Sequence, residues 1–481
     1  MELVTKKAMK CIQEADVIVY DNLIDISLLN YASLNTELIY AGKEAANHYL
    51  SQGSIIELLM DKAREGKYVV RLKGGDPYLF GRGSEEALAL KEAGISYEVV
   101  SGVTSSIAVP AYAGIPVTDR RFVSSCHIIT AHREDEAGID FENISKLEGT
   151  LVFMMGLAKL HHIVQGLTLH GKASDTPVAV LSDGSRYNRR KCVGTLADIE
   201  EKVKGAKLLP PAIIVVGEVV SLSNELDNFL ERYSDKKLFR KKILLTGTRY
   251  ICNKIKVALA DEGCDIDEIS IIESVPIESD FYNNIEKYIE SHDYLVFSSA
   301  NGIRVFFEKL KELHNVDLRK LSNIKFAVIG KGSAQTLRNY GYIADFVPSS
   351  FSNKDLAVEL CKQLKGEKLL LLRAREASTE LVEELEANKV EYTDVSLYET
   401  FRDYRRTFDI KRLIKNYDYV VVASGITAHT LCEMVEDKAL LEGRVVSIGP
   451  VTTGTCKRLG VEPLMSAREY SVDGIVRVLL Q

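Results

Sequence analysis

A short apolar strand that breaks into glycines and resumes as a helix can be folded in few ways, and this chain carries such a unit from Val69 to Leu88. It reads Val69-Val70-Arg71-Leu72-Lys73-Gly74-Gly75-Asp76-Pro77, then Tyr78-Leu79-Phe80-Gly81-Arg82-Gly83-Ser84-Glu85-Glu86-Ala87-Leu88. Val69 to Leu72 has the β-rich composition of a strand, and Gly74-Gly75 supply backbone freedom where a strand turns sharply or a ligand meets the main chain. Turn chemistry selects Gly, Asp and Pro in any case, so an ordinary strand-to-helix turn explains Gly-Gly-Asp-Pro by itself. Gly81 and Gly83, on either side of Arg82, raise the glycine density beyond what one turn requires.

The flanking sequence repeats the alternation. Ala8, Cys11, Ile12 and Ala15 fall at helical spacing, Asp16 to Asp21 reads as a buried parallel-type strand, Glu37 to Tyr40 as another closing on Gly42-Lys43, and Ser54 to Glu65 as a helix. Glu98-Val99-Val100 is expected as a strand entering Ser101-Gly102-Val103-Thr104-Ser105-Ser106, a turn whose N–H and hydroxyl groups can meet a polar ligand. Ala111 to Thr118 reads as a connection. A second unit begins beyond it, with strands expected at His127 to Ala131, Thr150 to Met155, Pro177 to Leu181 and Ala212 to Val216, ending near Leu222. Strands alternating with helices in this way predict an α/β fold.

Leu226 to Lys242 is rich in charge and reads as a solvated boundary, after which Lys242 to Arg249 restarts as strand and turn, with a helix from Asn253 to Glu262. This second half echoes itself. Asp293-Tyr294-Leu295-Val296-Phe297-Ser298-Ser299-Ala300-Asn301-Gly302 is answered by Asp418-Tyr419-Val420-Val421-Val422-Ala423-Ser424-Gly425, and Lys325 to Ala334, with Gly330, by Arg444 to Thr453, with Gly449. Two similar α/β lobes facing each other across a cleft are expected.

With 481 residues the chain has room for roughly three or four domains. A hydrophobic content of 46% with 27% charged residues predicts a soluble globular enzyme, and no apolar run is long enough to span a bilayer. The amino terminus has neither the apolar core nor the cleavage site of a secretory signal, so the expected location is the cytoplasm. Eight scattered cysteines without a C-x-x-C pair point away from a disulfide framework or a metal ribbon, and His127, His132, His161 and His162 lack a metal-ligand context, so no metal is expected. A net charge of −7 disfavours nucleic acid as a partner while leaving room for acidic small molecules at local Arg and Lys clusters.

Taken in order, Tyr20-Asp21-Asn22-Leu23-Ile24, Gly42-Lys43, Arg71 to Pro77 with Phe80 to Gly83, Ala111 to Pro116 and Pro211 to Gly217 resemble uroporphyrinogen III C-methyltransferases. From about residue 240 onward the chain resembles uroporphyrinogen III synthases, through Ser298 to Gly302, the two Ile-Gly turns, Arg373-Ala374-Arg375 and Tyr398-Glu399-Thr400. The resemblance implies a two-domain tetrapyrrole methylase fold over 1–225, in lobes of about 1–108 and 109–225, and a linker over 226–240. A two-lobed α/β synthase fold would fill 241–481, one lobe from about 241–272 and 400–481 and the other from about 273–399. It further implies S-adenosylmethionine as methyl donor, held by Gly74, Gly75, Asp76, Leu79, Thr104, Ser105, Met155 and Gly184, with Asp21 and Lys43 as proton acceptor and donor.

Arg82, Arg120 and Arg121 lie beside these motifs and suit a polycarboxylate acceptor. In the synthase-like half the implied chemistry is closure of hydroxymethylbilane, with Tyr398 delivering a proton to the leaving hydroxyl. Thr246, Arg249, Ser298, Ser299, Asn301, Gly330, Ser333, Arg373, Ser424, Gly449 and Thr452 would supply donors to its acetate and propionate groups. As single residues these polar turns also serve as helix caps.

The expected activity is bifunctional: uroporphyrinogen III made in the second half and methylated twice to precorrin-2 in the first, toward sirohaem or cobalamin, in a homodimer joined through the methyltransferase half. The family pattern places a strand and a Gly-x-Gly-Pro-Gly-Asp turn before the helix on which this chain opens, which leads to an expectation of weak S-adenosylmethionine binding. Two alternatives stand beside it: activity in the synthase half alone, or a second half that binds a ligand without catalysis.

Overall fold

The structure, a computed structural model, describes residues 2–42, 50–131, 138–313, 317–350 and 352–481. Its strands, numbered in chain order, form four sheets. The first contains β1 (Val17–Tyr20), β2 (Glu37–Tyr40) and β3 (Val69–Leu72), all parallel, in the order β2-β1-β3. β1 is buried along its whole length, and a continuous apolar run is what a strand with neighbours on both sides and covered faces requires. Register sets where the chain leaves this sheet. Tyr20 lies opposite both Tyr40 and Leu72, so the three strands end level, and Asp21, Ala41 and Lys73 depart along one edge.

The second sheet contains β4 (Cys126–Thr130), β5 (Thr150–Met154), β6 (Pro177–Ser182), β7 (Arg190–Thr195) and β8 (Ala212–Val216), in the order β4-β5-β8-β6-β7. β8 runs antiparallel to both neighbours and is buried from Ile213 to Val216. The strand β7 was not expected from the sequence, because Arg190-Lys191-Cys192-Val193-Gly194-Thr195 is a largely polar edge strand without apolar alternation.

In the second half, β9 (Lys242–Leu245) and β10 (Asp265–Glu268) open a third sheet, and β11 (Ile272–Pro276), β12 (Tyr294–Phe297), β13 (Lys325–Val328), β14 (Leu369–Ala374) and β15 (Tyr392–Arg402) form a fourth. The chain then returns to the third sheet with β16 (Tyr419–Val422), β17 (Val445–Ser447) and β18 (Met465–Ser466). Their orders are β10-β9-β16-β17-β18 and β11-β15-β14-β12-β13. The echo in the sequence is an echo in space: β12 lies beside β13 and β16 beside β17, each pair parallel and each strand followed by a helix.

Two expectations are corrected. Glu98-Val99-Val100 lies outside every sheet: the first sheet ends at β3, and no described strand pairs with this segment. The stretch from Leu226 to Lys242 is not simply solvated; it forms the helix Phe229–Tyr233 and buries Phe229, Tyr233 and Leu238.

The two halves share a core. Ile12, Ile18, Tyr20, Ile24 and Leu28 belong to the same buried cluster as Leu244, Ile269, Ile271, Ile410, Ile414 and Val420. Among the described residues no helix is long and apolar enough to cross a membrane.

Candidate functional site

The level strand ends of the first sheet open into a cavity of about 2100 Å³. Asp21, Gly74, Gly75, Leu79, Arg82, Ser105, Met155 and Gly184 all line it. The second half closes part of its wall through Asn253, Lys256 and Val257 of the helix Arg249–Ala258 and through Asp265, Asp267 and Glu268 of β10.

The loops meet in this cavity through close backbone approach. A Cβ on Gly102 would stand 2.2 Å from the Gly75 carbonyl oxygen, so these two turns touch only because Gly102 carries no side chain. Gly75 itself has φ +77°, the left-handed region that glycine enters without strain. Asp76, expected to meet a ligand, joins the two turns. Its carboxylate accepts from Ser101 Oγ at 2.5 Å, Gly102 N at 3.0 Å and Tyr78 N at 2.9 Å, and the Ser101 bond, with the backbone donors, holds its pKa below the usual carboxylate range. Thr104 acts as the N-cap of the helix Ser105–Tyr112, its hydroxyl accepting from Ser106 N. Neither Asp76 nor Thr104 is on the cavity wall. Met155 is not packed in a core: it is 50% exposed, with φ +55°, at the end of β5.

Behind the loop sits a charge cluster that reading the sequence by single candidates missed. Arg71 Nη2 donates to Asp21 Oδ2 at 3.1 Å, Lys73 Nζ to Glu86 Oε1 at 3.1 Å, and Arg71 Nε lies 3.5 Å from the same Glu86 oxygen. All four residues line the cavity. Burial and the neighbouring Arg71 charge lower the Lys73 pKa against the pull of Glu86. The signal was in Arg71-Leu72-Lys73 itself, where two cations flank the last strand residue and so both emerge at the strand end.

Lys43 lies outside the described residues, as does His132. Arg82 is on the cavity wall and pairs with Glu85 through Nε at 2.9 Å and Nη2 at 2.8 Å. Arg120 and Arg121 do not reach the cavity: their exposed turn closes on itself, with Arg121 held by Asp119 at 2.9 Å and Asp119 bridged to Val123. Of the histidines, His127 contacts Ser125 and His161 contacts Glu200, and no metal-holding group of side chains occurs among the described residues.

In the second half, Tyr398 is 5% exposed and its hydroxyl lies 2.8 Å from Ser299 Oγ. Burial raises its pKa, with the Ser299 hydrogen bond and the Arg304 charge opposing, so the phenol stays protonated at neutral pH. Ser299 also caps the helix Ala300–Glu312. Asn301 Nδ2 donates to Ser274 Oγ at 2.8 Å, while Arg304 bonds Asn301 and stacks 3.6 Å from the ring centre of Tyr250, from the helix of the other lobe. Tyr250 was not legible as a site residue. Burial opposes its ionisation, but hydrogen bonds from Lys254 and Thr336 and the charges of Lys254 and Arg304 prevail and lower its pKa.

The other expected donors separate into three groups. Thr246, Thr452 and Ser333 are buried at 0%, 1% and 5% exposure, and the Thr246 hydroxyl donates to Val421 O at 2.7 Å. Arg373 is committed to Asp394 and to the Ser378 carbonyl, and Arg249 to Glu273 and to the Asn30 carbonyl of the first half. Ser424, Gly330 and Gly449 stand at helix N-caps, Ser424 accepting from Thr427 N, and Ser298 is half-buried beside Ser299.

Comparison with known proteins divides the chain at the same place. Residues 1–200 match the family described as tetrapyrrole (corrin/porphyrin) methylases, and residues 253–477 match uroporphyrinogen-III synthase HemD. A uroporphyrinogen-III C-methyltransferase of Methanocaldococcus jannaschii is 49% identical over 223 residues, covering 46% of this chain and 92% of its own. A solved uroporphyrin-III C-methyl transferase of Thermus thermophilus, complexed with S-adenyl homocysteine, is 34% identical over 46% of this chain and 94% of its own, with a TM-score of 0.40. The porphyrin biosynthesis protein HemD of Ruminiclostridium josui is 34% identical over 486 residues, covering 100% of this chain and 95% of the relative. The chain therefore belongs to the family of that full-length relative, in which a tetrapyrrole methylase is fused to a uroporphyrinogen-III synthase.

Proposed function

We propose that residues 241–481 close hydroxymethylbilane to uroporphyrinogen III, and that residues 1–225, joined through 226–240, methylate the product twice to precorrin-2. The observation that carries the reading is that eight separate candidates, from Asp21 to Gly184, line one cavity although they come from loops of two different sheets. That cavity suits S-adenosylmethionine. Gly75 leaves its backbone exposed, Met155 turns a thioether outward, and Leu79, Ser105, Gly74 and Gly184 complete the wall. When bound, the donor supplies an electrophilic methyl group.

The protein's own part is to place the acceptor and move protons. Asp21, fixed by Arg71, is set to take the proton that the methylated ring carbon releases, and Lys43 is its acid partner in this reading. Arg82, Arg71 and Lys73 put positive charge beside a polycarboxylate. In the synthase half, positioning between lobes does most of the work, and Tyr398, kept protonated by burial, donates to the departing hydroxyl. The working protein on this reading is a cytoplasmic homodimer joined through the methyltransferase half.

Hydroxymethylbilane supplied alone should give uroporphyrinogen III, and with S-adenosylmethionine it should give precorrin-2, resolved by chromatography of the oxidised products. Formation of only the spontaneously cyclised isomer with the unrotated ring would overturn the synthase assignment. Uroporphyrinogen III that accumulates unmethylated would overturn the other.

A further inference from the structure

The helix Thr407–Leu413 belongs to the synthase half, yet its Asp409 and Arg412, with Arg406 at its N-cap, bond side chains and backbone of the methyltransferase half. Asp409, with no exposed surface, accepts from Tyr20 OH through both oxygens, at 3.1 and 3.0 Å. Arg406, 1% exposed, donates to Asp409 at 3.2 Å, to Asn30 Oδ1 at 2.6 Å and to the Ile26 carbonyl at 3.2 Å. Arg412 reaches furthest. One guanidinium nitrogen bonds Asp409 Oδ1 at 3.1 Å, another donates to Asn22 Oδ1 at 2.8 Å, and the group lies 4.6 Å from the ring centre of Tyr40.

The contacts with Asn22 and Tyr40 fall at particular places. Asn22 directly succeeds Asp21, and Tyr40 is the last residue of β2, three positions before Lys43. Tyr20 and Tyr40 are register partners at the level edge where both strands discharge into the cavity. A buried ionic network confers little net stability over apolar packing, and its best use is to specify one geometry. Here the geometry specified is that of the paired strand ends, one of which leads directly into Asp21.

We propose that Arg412, from the synthase half, is a positioning residue for methyl transfer: it ties the end of β1 to the end of β2 so that Asp21 faces the acceptor. The inference rests on the proton-transfer role proposed for Asp21. It makes methylation dependent on the synthase half being docked, through side-chain contacts that touch neither substrate.

The test uses the full chain and measures both activities in each preparation. Side-chain exposure of Arg412 is 12%, at the rim of the network, so Arg412→Ala leaves Asp409, Arg406 and Tyr20 paired to one another. Displacing a catalytic group by about 1 Å can cost up to a hundredfold, so methyl-transfer kcat should fall roughly 10- to 100-fold while both KM values and synthase turnover stay within about twofold. Arg412→Lys, which keeps the charge but not the fork or the planar stack, should give an intermediate kcat. Unchanged kcat in Arg412→Ala would overturn the proposal, and so would a parallel loss of both activities, which marks a purely structural contact. Asp21→Asn is run alongside: if it methylates as fast as the unaltered chain, the assignment of Asp21 fails; if it is slow while Arg412→Ala is not, only the positioning role fails.

Discussion

In the methyltransferase half three parallel strands end level and spill their loops into one cavity, whereas in the synthase half two lobes with separate sheets meet through side chains, Arg304 of one stacking on Tyr250 of the other. The first arrangement brings glycine turns together in front of a charged cluster; the second brings hydroxyl, amide and guanidinium groups together. This difference governs what can be substituted. A site made of touching main chains fails sterically, through an added Cβ, while a site made of side chains fails chemically, through a lost donor.

The largest expected effect tests the chemical side. Tyr398→Phe removes the buried phenol and leaves its ring in place, and loss of a positioned general acid costs about 10²- to 10⁴-fold. Uroporphyrinogen III formation, monitored against the spontaneous isomer, should fall by roughly 10²-fold or more, with methylation of supplied uroporphyrinogen III unaffected. Turnover within about twofold of the unaltered chain would shift the proton-donor role to Tyr250, whose ring meets Arg304 across the lobe boundary.

Sequence legibility divides along the same line. The stretch from Val69 to Leu88 and the strand β1 were readable because burial on both faces demands an uninterrupted apolar run and a sharp turn demands glycine, and each leaves a local mark. Tyr250 and Arg304 leave none. Each looks like a helix surface residue, and they meet only because lobes distant in sequence close on each other. Thr104 and Ser424 were ambiguous for a different reason: a hydroxyl at a strand-to-helix turn is selected by capping as strongly as by a ligand, and capping is what both do. The helix Thr407–Leu413 was silent as well, since Arg406, Asp409 and Arg412 carry the composition of a solvated face, whereas the first two are buried and the third half-buried against the other half. Glu98-Val99-Val100 shows the reverse case, strand propensity without a neighbour to pair with.

A middle-sized effect tests the steric side. In Gly102→Ala the new methyl would meet the Gly75 carbonyl at 2.2 Å, a contact with backbone that no rotamer relieves, so the two turns must part. Forced overpacking typically costs about 1–3 kcal/mol. Calorimetry should show weakened S-adenosylmethionine binding with synthase turnover preserved. Unaltered donor affinity would mean that the turns around Asp76 and Ser101 are not part of the donor site.

The smallest effect sharpens the contrast within the synthase half, by separating residues that build the cleft from those that merely resemble its donors. Thr246 is fully buried and its hydroxyl donates to the Val421 carbonyl, which also accepts the Thr246 backbone N–H at 3.3 Å. Thr246→Val keeps the shape, removes one hydrogen bond and leaves that carbonyl with its second donor, so the loss should be about 1 kcal/mol of stability. Urea denaturation would read it, with synthase kcat and KM unchanged because no part of the side chain reaches the cleft. A raised KM for hydroxymethylbilane without a stability change would show instead that the lobes open far enough to bring this hydroxyl to the substrate, and the boundary between structural and substrate-facing donors would then move one layer deeper into the third sheet.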